Sequence, residues 1–419
     1  KEEDLETITI GKEDEGAADL SAAVLSGSID SPVIKLVNMI VFQGIKSRVS
    51  DIHIEPFEKK IRVRYRSDGA LYEAYTPPKK MLGAIISRLK ILANLDIAER
   101  RRPQDGKFQV KAEGRQIDFR LSILPTIHGE KAVLRILDSS NLALSLDSLG
   151  FEPQAMEAFR TAVAAPYGMI LVTGPTGSGK STTLYSTLKE VLTIEENIIT
   201  VEDPVEYQLD GVIQVPVNPK AGLTFADALR SILRQDPDTI MIGEIRDRET
   251  VDIAVKAALT GHLVLSTLHT NDACSTITRL IDMGVDPFMV ASSVLLVAAQ
   301  RLARRLCKEC RKEKATLPPR ERLLAVGFRS EDFTDQLKIL EAPGCPNCKH
   351  GYRGRFALLE VLTMQDEIKR MIIAGGSALD IKKTAMEKYQ MITLRRCGIL
   401  NIIKGITSIE DILSSTMGD

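Results

Sequence analysis

The sequence predicts an α/β protein in which a domain built on a parallel sheet, with helices on both faces, follows a smaller α+β domain and precedes a cysteine-bearing and then helical C-terminal region. Three observations lead there. Short apolar runs (Met169–Thr173, Asn197–Val201, Thr239–Gly243, Leu263–Leu268) are separated by helical stretches, the order that a sheet of parallel strands requires. Upstream, Asp51–Glu55 and Lys60–Arg66 alternate polar and apolar residues with period two, the mark of half-buried strands. Downstream stand two thiol pairs, Cys307-x-x-Cys310 and Cys345-x-x-Cys348.

Taken in order, residues 1–30 read as a flexible acidic linker, because the first 19 carry eight acids and two lysines with little apolar periodicity. Residues 31–140 form the α+β domain. Ser31-Pro32 opens a helix through Gln43, a second helix covers Met81–Leu95, and Gln116–Ser122 and Ala132–Leu137 add two strands. A linker at 141–150 leads to the sheet domain at 151–300, with one of its helices near 224–235. The thiol pairs occupy 301–355, and a helical region runs from 356 to 419.

At 419 residues the chain exceeds what one core usually organises. Lys+Arg 55 against Asp+Glu 56 gives a net charge of −1, which argues against a protein built to coat nucleic acid or anionic lipid. No apolar run approaches the roughly 20 residues of a bilayer span, and no secretory signal pattern is visible. Six cysteines, four of them in C-x-x-C pairs, point to metal binding in a reducing compartment, so the expected location is the cytoplasm.

The stretch Gly174-Pro175-Thr176-Gly177-Ser178-Gly179-Lys180-Ser181-Thr182 fits the phosphate-cradling pattern G-x-x-x-x-G-K-[ST] without a mismatch, between a strand and a helix as the pattern demands. Backbone N–H groups of such a loop surround phosphate oxygens while the next helix offers its positive end. ATP or ADP is the expected ligand, Lys180 the residue that reaches the outer phosphates and Ser181 the ligand of Mg²⁺. Hydrolysis needs carboxylates at the carboxyl ends of neighbouring strands, and Glu202, in Glu202-Asp203-Pro204-Val205-Glu206, and Glu244 stand there. Either can orient the attacking water while the other holds the metal through its water shell. Arg230 and Arg234, four apart on a helix, share a face, and Arg246 closely follows Glu244; for the helical pair a solvated surface is the commoner explanation. His262 and His269 bracket a buried strand, and His269, at its carboxyl end, is the better placed phosphate sensor.

These residues resemble a known family. GPTGSGKS, VEDPVE, IMIGEIRD and GHLVLSTLHTN look like the phosphate loop, aspartate box, acidic strand and histidine box of the secretion ATPase superfamily, which powers type II secretion and type IV pili. Ile117-Asp-Phe-Arg120, Leu134-Arg-Ile-Leu137 and Asn218–Thr224 are most similar to its pilus-assembly members, with type II secretion members close behind. The retraction members generally lack the cysteine pairs. The resemblance implies a RecA-like motor domain, a PAS-like first domain and a cytoplasmic homohexamer lying peripherally at the inner membrane. Its implied partners are a membrane platform protein, through which pilin subunits are polymerised, and other pilus-base proteins. It also implies that Arg120 and Arg135 reach the nucleotide from the first domain, and that Arg230 and Arg234 stand beside the site.

Four thiolates at Cys307, Cys310, Cys345 and Cys348 suffice for a closed tetrahedral Zn²⁺ site, with His350 an alternative to one sulfur. Cys274 and Cys397 read as buried hydrophobes. The basic run Arg301–Lys314 lacks interleaved aromatics, so a protein or membrane-proximal contact is favoured over nucleic acid. A GTP switch would need an N-K-x-D motif, and a kinase an acceptor site with its own base; neither is visible. A nucleic-acid translocase remains the competing class, distinguished by hydrolysis that rises with added DNA or RNA.

Overall fold

The computed structural model describes residues 32–112, 115–137 and 145–418, which fall into two compact units divided after residue 142. The expected acidic linker lies outside the described residues.

In the first unit, β1 (Asp51–Pro56), β2 (Ile61–Ser67), β3 (Ala70–Tyr75), β4 (Gln104–Ala112), β5 (Arg115–Thr126) and β6 (Gly129–Leu137) form an antiparallel sheet in the order β3-β2-β1-β6-β5-β4. Period-two alternation sends Ile52, Ile54, Val63, Phe119, Leu121 and Leu134 into one core with the helices Pro32–Lys46 and Leu82–Leu92. Tyr65 reaches through that core to donate a 2.6 Å hydrogen bond to the Ile40 carbonyl. The two strands that the sequence reading misses, β3 and β4, are the sheet's edges: no residue of β3 is fully buried, whereas β4 does alternate, with Phe108, Val110 and Ala112 buried between exposed or partly exposed polar neighbours. The second helix stops at Leu92 rather than Leu95, because Asn94 turns into the left-handed region at φ 55.

In the second unit, β7 (Gly168–Thr173), β8 (Ile198–Glu202), β9 (Ile213–Pro216), β10 (Thr239–Ile242), β11 (Leu263–Leu268), β12 (Val294–Leu306) and, after a small ribbon of β13 (Lys312–Glu313) and β14 (Leu340–Glu341), β15 (Tyr352–Thr363) complete the strands. The main sheet runs β15-β12-β7-β11-β10-β8-β9, parallel throughout except for the antiparallel β12/β15 pair. β7, β8, β10 and β11 are buried along their whole length, as a sheet covered on both faces requires. Neighbouring β7 residues enter different cores: Met169 and Leu171 one, Ile170 and Val172 the other. Thr224, Asp247 and Asp272 each cap a helix, accepting from the backbone N–H of Asp227, Thr250 and Ser275.

The division expected at residue 300 falls inside β12, which continues to Leu306 and pairs with β15 nearly to its end. The thiol-bearing segment is therefore an insertion between two neighbouring strands of the main sheet. The region from 356 begins within β15, and only then come the helices Asp366–Ile373, Ala378–Tyr389, Leu394–Ile403 and Ile409–Ser415. Arg301, Arg304 and Arg305 make the second half of β12 look like a charge run instead of a strand. Among the described residues no helix is long and apolar enough to cross a membrane.

Candidate nucleotide site

Parallel register sets Thr173 beside Leu268, Ser266 beside Ile242, and Ile242 beside Val201. The residues that follow these strands consequently emerge along one edge, where ligands bind in sheets of this kind. The loop Gly174–Gly179 leaves β7 there and enters the helix Lys180–Val191. Gly174 sits at φ 146, and a Cβ on it would stand 2.5 Å from the Gln300 carbonyl oxygen. Gly179 opens the helix at φ 88.

Lys180 Nζ curls back to donate to the carbonyls of Gly174 (2.8 Å) and Pro175 (3.1 Å). Burial lowers its pKa, and the charge of Glu244 opposes that shift, which puts ammonium and carboxylate within one electrostatic neighbourhood. Ser181 is exposed on the helix's first turn. Amides at a helix N-terminus, an ammonium and an exposed hydroxyl form a donor set that fits a triphosphate with Mg²⁺.

Two residues that sequence reasoning passed over hold this loop. Gln300, fully buried on β12, donates from Nε2 to the Ser178 carbonyl (2.9 Å) and accepts from Thr183 Oγ1 (2.7 Å). Thr173 Oγ1 donates to the Leu268 carbonyl (3.0 Å) and accepts from the Thr270 N–H (3.0 Å), tying the loop to the segment after β11. A polar residue closing the apolar run Val294–Ala299 was the available signal for Gln300. Gln300→Leu fills the space but leaves both loop groups unpaired, so nucleotide affinity is expected to fall about 10-fold or more, with about 1–3 kcal/mol lost in stability. Calorimetric titration and urea unfolding measure the two.

The geometry separates the two acids. Glu244 follows β10, two strands from β7, and its side chain is 18% exposed. It accepts from Arg246, and His269 Nε2 lies 3.2 Å from its Oε2. Burial pushes its carboxyl up, but the hydrogen bond and charge of Arg246, with those of His269, outweigh burial and hold it below the usual carboxylate range. Glu202 ends β8, three strands from β7 or about 14 Å at ordinary strand spacing. It is buried, with Oε2 accepting from Tyr185 and Oε1 from Thr200 (2.6 Å) and Gln214 (3.0 Å). Glu244 and His269 thus share an open contact within electrostatic reach of Lys180, and Glu202 belongs to a closed network.

Arg230 ion-pairs with Asp227 and Glu249 on an exposed face. Its helix ends at Ile232, so Arg234 falls past the last turn and donates back to the Arg230 carbonyl (2.8 Å) and Ser231 Oγ (3.1 Å). Arg120 and Arg135 are directly opposed on β5 and β6, and Asp51, opposite Arg135 on β1, pairs with it at 3.1 Å. His262 Nδ1 lies 3.0 Å from the Ala257 carbonyl oxygen, a structural contact.

The four cysteine Sγ atoms converge within 4.8 Å of one another. Pairs stand 4.0 Å (Cys307, Cys345), 3.7 Å (Cys310, Cys348) and 3.5 Å (Cys345, Cys348) apart. A tetrahedral thiolate site with metal–sulfur bonds of about 2.3 Å has sulfurs about 3.8 Å apart, so the spacing fits. Among the described residues the cluster is the four cysteines without His350.

The sheet, the loop and the acid opposite it define a RecA-like ATPase of the phosphate-loop class. Known proteins agree. The profile of the family described as "Type II/IV secretion system protein" matches residues 27–414. The chain is 51% identical over 392 residues to the type IV pilus assembly ATPase PilB of Myxococcus xanthus, covering 93% of this chain and 69% of that protein. It is 47% identical over 397 residues to the type II secretion system ATPase E of Vibrio cholerae, covering 94% and 77%. Among solved structures, the pilus retraction motor PilT with bound ADP superimposes with a TM-score of 0.60 at 26% identity, covering 90% of this chain and 95% of that one. The chain belongs to the type II/IV secretion system protein family.

Proposed function

We propose that the chain is the motor ATPase of type IV pilus assembly: a hexamer at the cytoplasmic face of the inner membrane whose cycles of ATP hydrolysis drive pilin polymerisation through a membrane platform protein. The observation that carries this reading is identity of about half over more than nine-tenths of the chain to PilB proteins, 51% for that of Myxococcus xanthus and 50% for that of Acinetobacter baylyi. Those matches span 69% and 66% of the relatives' own lengths. Identity of 47% to a type II secretion ATPase supports a second reading, export of folded proteins. Gene deletion separates them: loss of surface pili with normal exoprotein secretion supports the first, and the reverse supports the second.

At the site, Gly174–Thr182 would hold ATP and Ser181 would ligate Mg²⁺, while Glu244 would orient the attacking water or the metal's water shell and His269 would sense the phosphate. Arg120, Arg135, Arg230 and Arg234 supply cations as the ring cycles, after Arg135 leaves Asp51 and Arg230 leaves Asp227 and Glu249. Glu202 supports the edge through Tyr185, Thr200 and Gln214. Zn²⁺ at Cys307, Cys310, Cys345 and Cys348 ties the insertion to β12 and β15; Cys307 already donates its N–H to the Gly351 carbonyl at 2.9 Å. Removing the metal with a strong chelator, or Cys345→Ser, is expected to lower Tm by about 5 °C or more. Differential scanning calorimetry with metal analysis checks it.

A further inference from the structure

The basic run beginning at Arg301 is not one surface. Arg304 pairs with Asp411 (2.6 Å) and lies over the Tyr352 ring, Arg305 lies over Phe356, and Arg311 donates to the Gly405 carbonyl (2.8 Å). Arg301 turns the other way. From β12 its guanidinium crosses the end of β7, 3.2 Å from where a Cβ on Gly174 would stand. It donates to Asn271 O (3.3 Å) and Oδ1 (3.2 Å), beyond β11, and to the Gln300 carbonyl (3.3 Å). Every one of these partners is a neutral oxygen. Among the described residues no carboxylate forms an ion pair with it; Glu360 and Asp272 act only at longer range.

Burial disfavours the charge on Arg301, and that charge in turn disfavours the charge on Lys180. Two partly buried cations therefore crowd one phosphate loop. Glu244 offsets part of the cost of that crowding for Lys180. Among the described residues no carboxylate forms an ion pair with either cation, so an anion joining the loop would stabilise it. A planar fork suited to phosphate oxygens, held at the loop by neutral acceptors it can exchange, is the form such a partner would use.

We propose that Arg301 is a further phosphate-binding residue, which contacts the terminal phosphate of ATP and, through Asn271, signals its presence to the segment that carries His269. The assignment rests on the ATPase reading above. A purely structural role, a strap joining β12 to the segment after β11, makes different predictions.

The test is calorimetric titration of the 419-residue chain with AMP-PNP and with ADP, both with Mg²⁺, for wild type, Arg301→Ala and Arg301→Gln, alongside Tm without nucleotide. Glutamine keeps a donor for Asn271 but not the charge. The proposal expects both variants to bind AMP-PNP about 10- to 100-fold more weakly and ADP less than about 3-fold more weakly. A strap instead weakens both nucleotides equally in Arg301→Ala and is rescued by Arg301→Gln; either result overturns the assignment. Should Arg301→Ala not fold, Arg301→Gln alone decides, since wild-type-like selectivity in it contradicts the proposal. Wild-type protein that binds neither nucleotide removes the ATPase reading itself, a failure distinct from one confined to the variants.

Discussion

Lys180→Ala is expected to lower kcat for ATP hydrolysis by about 10²- to 10³-fold, with a change in Tm of no more than about 2 °C. The ammonium is the loop's own cation, held by two loop carbonyls at 2.8 and 3.1 Å and within the electrostatic reach of Glu244. Those carbonyls are the sort of partner it can leave when phosphate oxygens arrive, because an anion attracts an ammonium more strongly than a neutral oxygen does. The alanine variant loses that attraction where charge accumulates as the phosphoryl group transfers. Its fold does not depend on the side chain, since the loop stays braced by Gln300 and tied through Thr173. Steady-state phosphate release and thermal unfolding read the two effects separately.

Glu244→Gln is expected to lower kcat by about 10²- to 10⁴-fold while nucleotide affinity stays near that of wild type. Glutamine preserves the size of the group and an acceptor for Arg246 but removes the charge that orients water or the metal's water shell. The variant should hold ATP without cleaving it, seen as protein-bound radiolabelled ATP after gel filtration. The sign of the pH effect follows from the same contacts. Arg246 and His269 hold the carboxyl below its ordinary range against the opposing push of burial. Its contribution to stability is therefore fully present above the ordinary carboxylate value and is lost as pH falls through the depressed folded value. Between pH 8 and about pH 5 this group stays ionised, and loss of kcat within that window must come from another group.

The site was more legible in the sequence than the sheet that carries it. The phosphate loop, Glu244 and His269 each follow an apolar run, and parallel register converts that sequence position into a shared edge. Glu202 has the same sequence signature, yet β8 lies a strand beyond β10 and its carboxylate is occupied by Tyr185, Thr200 and Gln214. Lateral strand order, which spacing along the chain does not encode, makes the difference. Gln300 and Arg301 were obscure for a related reason: β12 pairs with β7 only after more than a hundred intervening residues, so their nearness to Gly174 is a property of topology. The edge strand β3 left a weak trace because none of its residues is fully buried, whereas β4 carries a period-two pattern at Phe108, Val110 and Ala112 that the sequence reading passed over. The thiol pairs were legible throughout, since four sulfurs at this spacing have few other uses.

The most direct measurement is inorganic phosphate release by the purified chain given ATP and Mg²⁺, with no nucleic acid and no membrane, compared with Lys180→Ala and with wild type after EDTA. Turnover that requires Mg²⁺ and collapses in the variant is the result this account predicts. No release from folded wild-type protein, or release that is the same in Lys180→Ala, would contradict it.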